Sequence, residues 1–222
     1  VSLLSESFAI TVKDIRSELR TRYNLIAIVL FVVTSVTTVV FSIGDEKFTP
    51  ELSAGLLWIL LIFGSMTGLA RCFVVEEERG TRILLQISSR SLSVYYGKLF
   101  FNIIIGIFLN GITFLLFLLF LPIEISSWWY ALLSMSASIL GLASASTIIA
   151  AIIAQAQGRA ILFPVLMFPI LLPIILVGLE TSVIMFSATF LDPQYNMVIV
   201  ELSYAVILIT VSTFLFDYVW TE

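Results

Sequence analysis

The sequence predicts an all-α membrane bundle of six transmembrane helices preceded by an amphipathic interfacial helix. Its composition comes first. The chain is 60% hydrophobic and 12% charged with a mean hydropathy of +1.12, whereas a soluble globule is about 45–50% apolar. The second observation is length. Six apolar stretches, near residues 25–43, 52–75, 97–121, 128–154, 160–179 and 198–219, each approach or exceed the roughly 20 residues a helix needs to cross a bilayer. None shows the alternating ten-residue pattern of a membrane β-barrel, and a helix satisfies its own backbone polar groups. The third is charge placement: of the eleven Lys and Arg residues, every one except Lys47 falls on the same side of such a threading.

Residues 1–24 are polar and patterned as a helix, with Phe8, Val12, Ile15 and Leu19 forming an apolar stripe and Lys13, Asp14, Arg16, Glu18, Arg20 and Arg22 mostly away from it. This describes an amphipathic elbow helix at the membrane surface, in contact with lipid. Bracing a moving bundle and anchoring its topology are both open to it. The polar opening also predicts an uncleaved first span rather than a cleavable leader.

Orientation follows from the basic residues. Lys13, Arg16, Arg20 and Arg22 precede span one, Arg71, Arg79, Arg82, Arg90 and Lys98 surround the loop between spans two and three, and Arg159 lies between spans four and five. By the positive-inside rule both termini, loop 76–96 and loop 155–159 are cytoplasmic, while 44–51, 122–127 and 180–197 face outward. The remainder outside the spans is too small for a second domain, so residues 1–222 form one membrane domain. No Walker A pattern, Gly-rich dinucleotide loop or CxxC occurs, so the chain reads as no enzyme and any ATP hydrolysis belongs to another subunit. Cys72 stands alone and excludes an intrachain disulfide.

Loop 76–96 carries the densest local signal. Glu76, Glu77 and Glu78 end in Arg79-Gly80-Thr81, and the apolar-rich run Arg82-Ile83-Leu84-Leu85-Gln86-Ile87 follows. Gly80 suits a helix end and Thr81 an N-cap, so a helix, a turn and a second short helix are predicted. Three adjacent carboxylates repel unless solvated or matched by basic groups on something else. A solvated acidic helix end is the plain reading of the charges; with the apolar run, the segment has the form of a docking element.

Taken with Lys13-Asp14-Ile15-Arg16-Ser17-Glu18-Leu19-Arg20-Thr21-Arg22, Gly55-Leu56-Leu57-Trp58, Gly68-Leu69-Ala70-Arg71, and Gly97-Lys98 with Asn102, this loop resembles the CcmB family. Those proteins are membrane subunits of the ABC-type heme exporter complex of cytochrome c maturation. The resemblance runs from about residue 13 to 180 and implies an ABC exporter permease fold. It implies that a cytoplasmic ABC ATPase docks on Glu76, Glu77, Glu78, Arg79, Gly80, Thr81 and Arg82, beside the elbow helix. It also implies a heme-handling membrane subunit, a periplasmic heme chaperone, and location in a bacterial-type inner membrane. Six spans make half of a typical ABC membrane unit, so a second copy of the chain is the expected completion.

The spans themselves restrict the chemistry. With no histidine in the chain, the commonest heme ligand and proton shuttle is missing. Heme is therefore expected as cargo rather than as a cofactor bound by this chain, with ATP on the partner; no metal site and no nucleic-acid partner are expected. Trp128-Trp129-Tyr130 reads as an interfacial aromatic belt before a heme platform, and Trp58 and Trp220 read likewise. Arg71, Lys98, Glu180, Glu201 and Asp217 fall toward span ends, which argues against a proton-coupled carrier. Pro164, Pro169 and Pro173 predict a bent or locally unwound span five, as a hinge or a static kink, and Thr181–Phe186 invites a re-entrant reading. Small-residue stripes at Gly64 and Gly68 and at Ala137, Gly141 and Ala145 mark close helix packing within the chain or with a mate. The reading is a heme-exporter permease subunit; a permease for another lipid, drug or glycan and a non-transporting scaffold are its alternatives.

Overall fold

A computed structural model describes residues 2–43, 49–121, 123–154, 156, 159–187 and 194–221. These residues form helices α1 (Leu3–Thr21), α2 (Tyr23–Ile43), α3 (Pro50–Gly68), α4 (Arg71–Glu78), α5 (Arg82–Ser88), α6 (Ser91–Phe120), α7 (Trp128–Ile153), α8 (Arg159–Phe186) and α9 (Tyr195–Thr221). Six segments are long and apolar enough to cross a membrane, the second of them comprising α3 and α4 together. Lys47 lies outside the described residues, with most of the expected outer loop 44–51 and much of the inner loop 155–159.

Local chemistry sets several boundaries. Ser2, Thr49 and Ser127 cap α1, α3 and α7 by accepting from backbone N–H groups three residues on, and Pro50 occupies the first turn of α3, where its missing N–H costs nothing. Arg22 adopts a left-handed conformation (φ 54°) between α1 and α2. That reversal lets the surface helix turn directly into the first span.

At the centre is α7, whose span is 78% buried, against 17% for α2 at the periphery. It packs on α6, α8 and α9. Its abundance of Ala, Ser and Gly allows this, because small side chains let neighbouring backbones approach. Both small-residue stripes pack within the chain: Gly64 lies against Leu109, Gly68 against Ile28 and Gly141 against Ile174.

Several expectations need correction. Span two is two helices, broken at Leu69-Ala70, and span three begins at Ser91 rather than residue 97. Span five is neither unwound at Pro164, Pro169 and Pro173 nor followed by a re-entrant segment, since α8 continues through all three prolines to Phe186. Packing maintains it: Phe163, Met167, Leu171 and Ile174 are buried, and the Tyr204 hydroxyl donates to the Ile170 carbonyl at 2.8 Å. Trp58 is not interfacial. It is buried against Gly178, and its indole N–H donates to Ser182 Oγ at 3.1 Å. Trp220 is also buried, stacked on Phe216 at 5.5 Å between centroids; of the expected belt, Trp128 and Trp129 are exposed but Tyr130 is buried.

Candidate functional site

The site lies at the basic end of the bundle, where α1, α4, α5 and the first turns of α6 meet. Helix α1 buries Ser7, Ile10, Thr11 and Asp14 toward α6. The apolar stripe seen in the sequence is offset from it, and Phe8 and Leu19 are exposed, an arrangement suited to lipid. Gly97 allows the contact, since a Cβ there would stand 2.8 Å from Ile10 Cβ and 2.9 Å from the Ser7 carbonyl oxygen. Across this approach Thr11 Oγ1 donates to the Gly97 carbonyl at 2.9 Å, and Ser93 Oγ donates to Glu6 at 2.8 Å.

Next to Gly97, Lys98 is buried between two acids. Its Nζ lies 2.9 Å from Asp14 Oδ2 on α1 and 2.9 Å from Glu76 Oε1 on α4. Lys13 reaches the same Glu76 oxygen at 2.5 Å and Asp14 at 3.2 Å. Thr81 Oγ1 donates to the other Glu76 oxygen at 2.5 Å. Two ammonium groups thus balance two carboxylates. Each buried ion costs several kcal/mol in desolvation, which only dense pairing of this kind offsets. The result ties α1, α4, α6 and the turn into one unit, beside a cleft of about 220 Å³. A second buried link lies a turn deeper, where Asn102 Nδ2 donates to Cys72 Sγ at 3.4 Å and Thr147 Oγ1 at 2.9 Å.

Glu76 is therefore inside the protein rather than on its surface, a correction to its grouping with Glu77 and Glu78 as a docking residue. The expected mutual repulsion of the three carboxylates is met within the chain, because Glu77 pairs with Arg82 at 4.0 Å and Glu78 with Arg71 at 3.4 Å. Gly80 has φ 65°, the permissive conformation anticipated for it. Thr81 does not cap α5: its backbone is helical and its hydroxyl is committed to Glu76.

The turn is fastened on both sides. Arg79 donates to Ser17 Oγ at 2.9 Å. Arg82 lies 5.5 Å from the Trp220 ring centroid and donates to the Trp220 carbonyl at 3.2 Å, which Gln86 also reaches. Helix α5, held in this way, presents Ile83, Leu84 and Ile87 outward at 67%, 71% and 84% exposure. On the elbow helix Arg16 and Arg20 are exposed, and Arg22 Nε donates to the Leu19 carbonyl at 3.1 Å. Of the α8 prolines, Pro164 shares a cleft with Arg71 and Glu78 of α4, while Pro169 and Pro173 lie further along α8.

Sequence reasoning did not separate buried Glu76 from Glu77 and Glu78, which pair with arginines. It also missed the pairing of Asp14 with Lys98. A signal existed: Asp14 follows Ser7, Ile10 and Thr11 at helical spacing, and a lysine within a span requires a partner.

The family model described as CcmB protein matches residues 5–218. The chain belongs to the CcmB family. A comparison with curated proteins finds no match. Membership of the CcmB family makes the chain a permease component of the heme exporter of cytochrome c maturation, associated with the other components of that ABC assembly, and a multi-pass membrane protein.

Proposed function

We propose that this CcmB-family chain couples ATP hydrolysis on a separate cytoplasmic ATPase to heme handling, by release of a heme-loaded chaperone or by movement of heme. The ATPase docks on α5 and the turn before it, and the ion cluster passes the resulting displacement to α1 and α6. The observation that carries this reading is the outward apolar face of α5, Ile83, Leu84 and Ile87, on a helix fastened to α9 and preceded by a turn fastened to α1. An apolar patch held rigid and rimmed by charged Glu77, Glu78 and Arg79 is a form that suits a protein partner. Lys98 supplies a direct mechanical link, since a displacement of α4 moves Glu76 and through it both helices that share its cations.

In this proposal the termini are cytoplasmic, the membrane is of the bacterial inner type, and two copies complete the permease, because six spans are half of a typical ABC membrane unit. A heme-handling membrane subunit and a periplasmic heme chaperone act with it. ATP belongs to the ATPase, and heme is cargo: the absence of histidine from the sequence supports the lack of a heme ligand here.

The test is co-purification of the ATPase with tagged permease from gently solubilised membranes. Ile83→Asp with Ile87→Asp, and separately Glu77→Lys with Glu78→Lys, are expected to lose most of the ATPase while inserting normally. Glu76 is left intact so that docking is not confused with collapse of the ion cluster. Undiminished recovery of the ATPase with both variants would remove α5 and its turn from the docking role.

A further inference from the structure

Toward the end of the bundle opposite the basic cluster, Glu201 lies two turns into α9, about 9 Å along the helix from Tyr195 at 1.5 Å per residue. It is 1% exposed. Among the described residues no Lys or Arg pairs with it, and its Oε2 has no hydrogen-bond partner. An ionised carboxylate buried in this way within a membrane span carries a heavy penalty.

The hydrogen atoms available tell more. Glu201 Oε1 lies 2.7 Å from Ser138 Oγ on α7. The same Ser138 Oγ lies 3.1 Å from the Ser134 carbonyl oxygen, also an acceptor. A serine hydroxyl has one proton, so an ionised Glu201 and the Ser134 carbonyl would compete for it. A proton on Glu201 resolves the conflict. Glu201 then donates to Ser138 Oγ, Ser138 donates to the Ser134 carbonyl, and each short contact contains a hydrogen. The adjoining bonds run in a consistent sense, with Ser134 Oγ donating to Thr181 Oγ1 at 2.9 Å and Thr181 to the Gly178 carbonyl at 3.0 Å.

Helices α6, α7 and α8 pack along α9, while α4 and α5 meet its last turns at Phe216 and Trp220 and bring their charges to the basic end; the ionisable groups of these helices leave this proton uncontested. Helix α7 contributes only Tyr130, which is buried, has no hydrogen-bond partner on its hydroxyl among the described residues, and meets Tyr195 of α9 with ring centroids 5.9 Å apart. On α6 the titratable groups, Tyr95, Tyr96 and Lys98, all fall in the first three turns at the basic end. On α8 they are Arg159, its first residue, and Glu180, which is exposed. The remaining groups of α9, Tyr204, Asp217 and Tyr218, lie nearer its basic end.

We propose that Glu201 is a proton-binding site: its carboxyl carries a proton directed at Ser138 and exchanges that proton with water. The assignment is independent of where the ATPase docks. It is tested by infrared spectroscopy of the full-length protein in lipid bilayers. The wild type is expected to show at neutral pH the carbonyl stretch of a protonated carboxyl, which shifts in D₂O, fades as pH is raised, and is absent from Glu201→Gln. Ser138→Ala is expected to move the frequency of the band and the midpoint of its titration, which a purely structural glutamate would not require. A spectrum unchanged by Glu201→Gln would show that Glu201 is ionised and overturn the proposal. A band that neither exchanges in D₂O nor responds to pH would overturn it as well, by showing a carboxyl sealed from proton exchange.

Discussion

Glu76 and Glu201 are both buried glutamates, and the bundle treats them in opposite ways. At the basic end Glu76 has two ammonium groups and a threonine hydroxyl around it. At the other end Glu201 has one serine hydroxyl and no cation among the described residues. Low polarity strengthens every electrostatic term, so the first environment creates a rigid ionic joint and the second favours a neutral acid. The comparison teaches that burial alone does not assign a role to a carboxyl; the charge and hydrogen atoms brought by neighbouring helices do.

Replacing one polar side chain at each end is the sharpest way to separate them. Lys98→Met leaves Asp14 and Glu76 dependent on half-exposed Lys13 and is expected to cost about 3–5 kcal/mol, read as thermal unfolding in detergent. Combining it with Asp14→Asn and Glu76→Gln should restore most of that loss, because the buried charges disappear together. Failure of the triple variant to recover would mean that the cluster is held by shape rather than charge.

Ser138→Ala should have the next largest effect, about 1–3 kcal/mol, by leaving a buried acid without its partner. Glu201→Gln should change stability by about 1 kcal/mol or less, since a neutral amide replaces a neutral acid of similar size. If the glutamine variant loses as much as Lys98→Met, the two ends are alike and the comparison fails. The smallest effect is expected at the surface of the basic end. Arg79→Ala, which removes an exposed bond to Ser17, should fall within about 0.5 kcal/mol in the same assay.

The fold was largely legible because membrane crossing imposes a simple constraint on composition and length, and the helix–turn–helix after the second span was legible from Gly80. What escaped was decided by contacts between elements distant in sequence. Trp58 looks interfacial until Gly178, on another helix, provides room for its ring. Three prolines look like a break in α8 until its buried face and Tyr204 hold the helix in place. Glu201 looks like an ordinary span-end residue because its address in the sequence does not reveal that α7 covers it. At the basic end Glu76, Glu77 and Glu78 are equivalent in one dimension, and the helical turn of about 100° per residue separates them. Only one of the three meets Lys98.

Docking of the ATPase on α5 is probed by a photo-crosslinking residue placed at Ile87 in native membranes. A matching probe goes at Leu132, an exposed apolar residue near the start of α7 and well away from α5. A crosslink to the ATPase subunit is expected from Ile87 and none from Leu132. No crosslink from Ile87, in membranes where the ATPase still co-purifies with the chain, would contradict docking on α5.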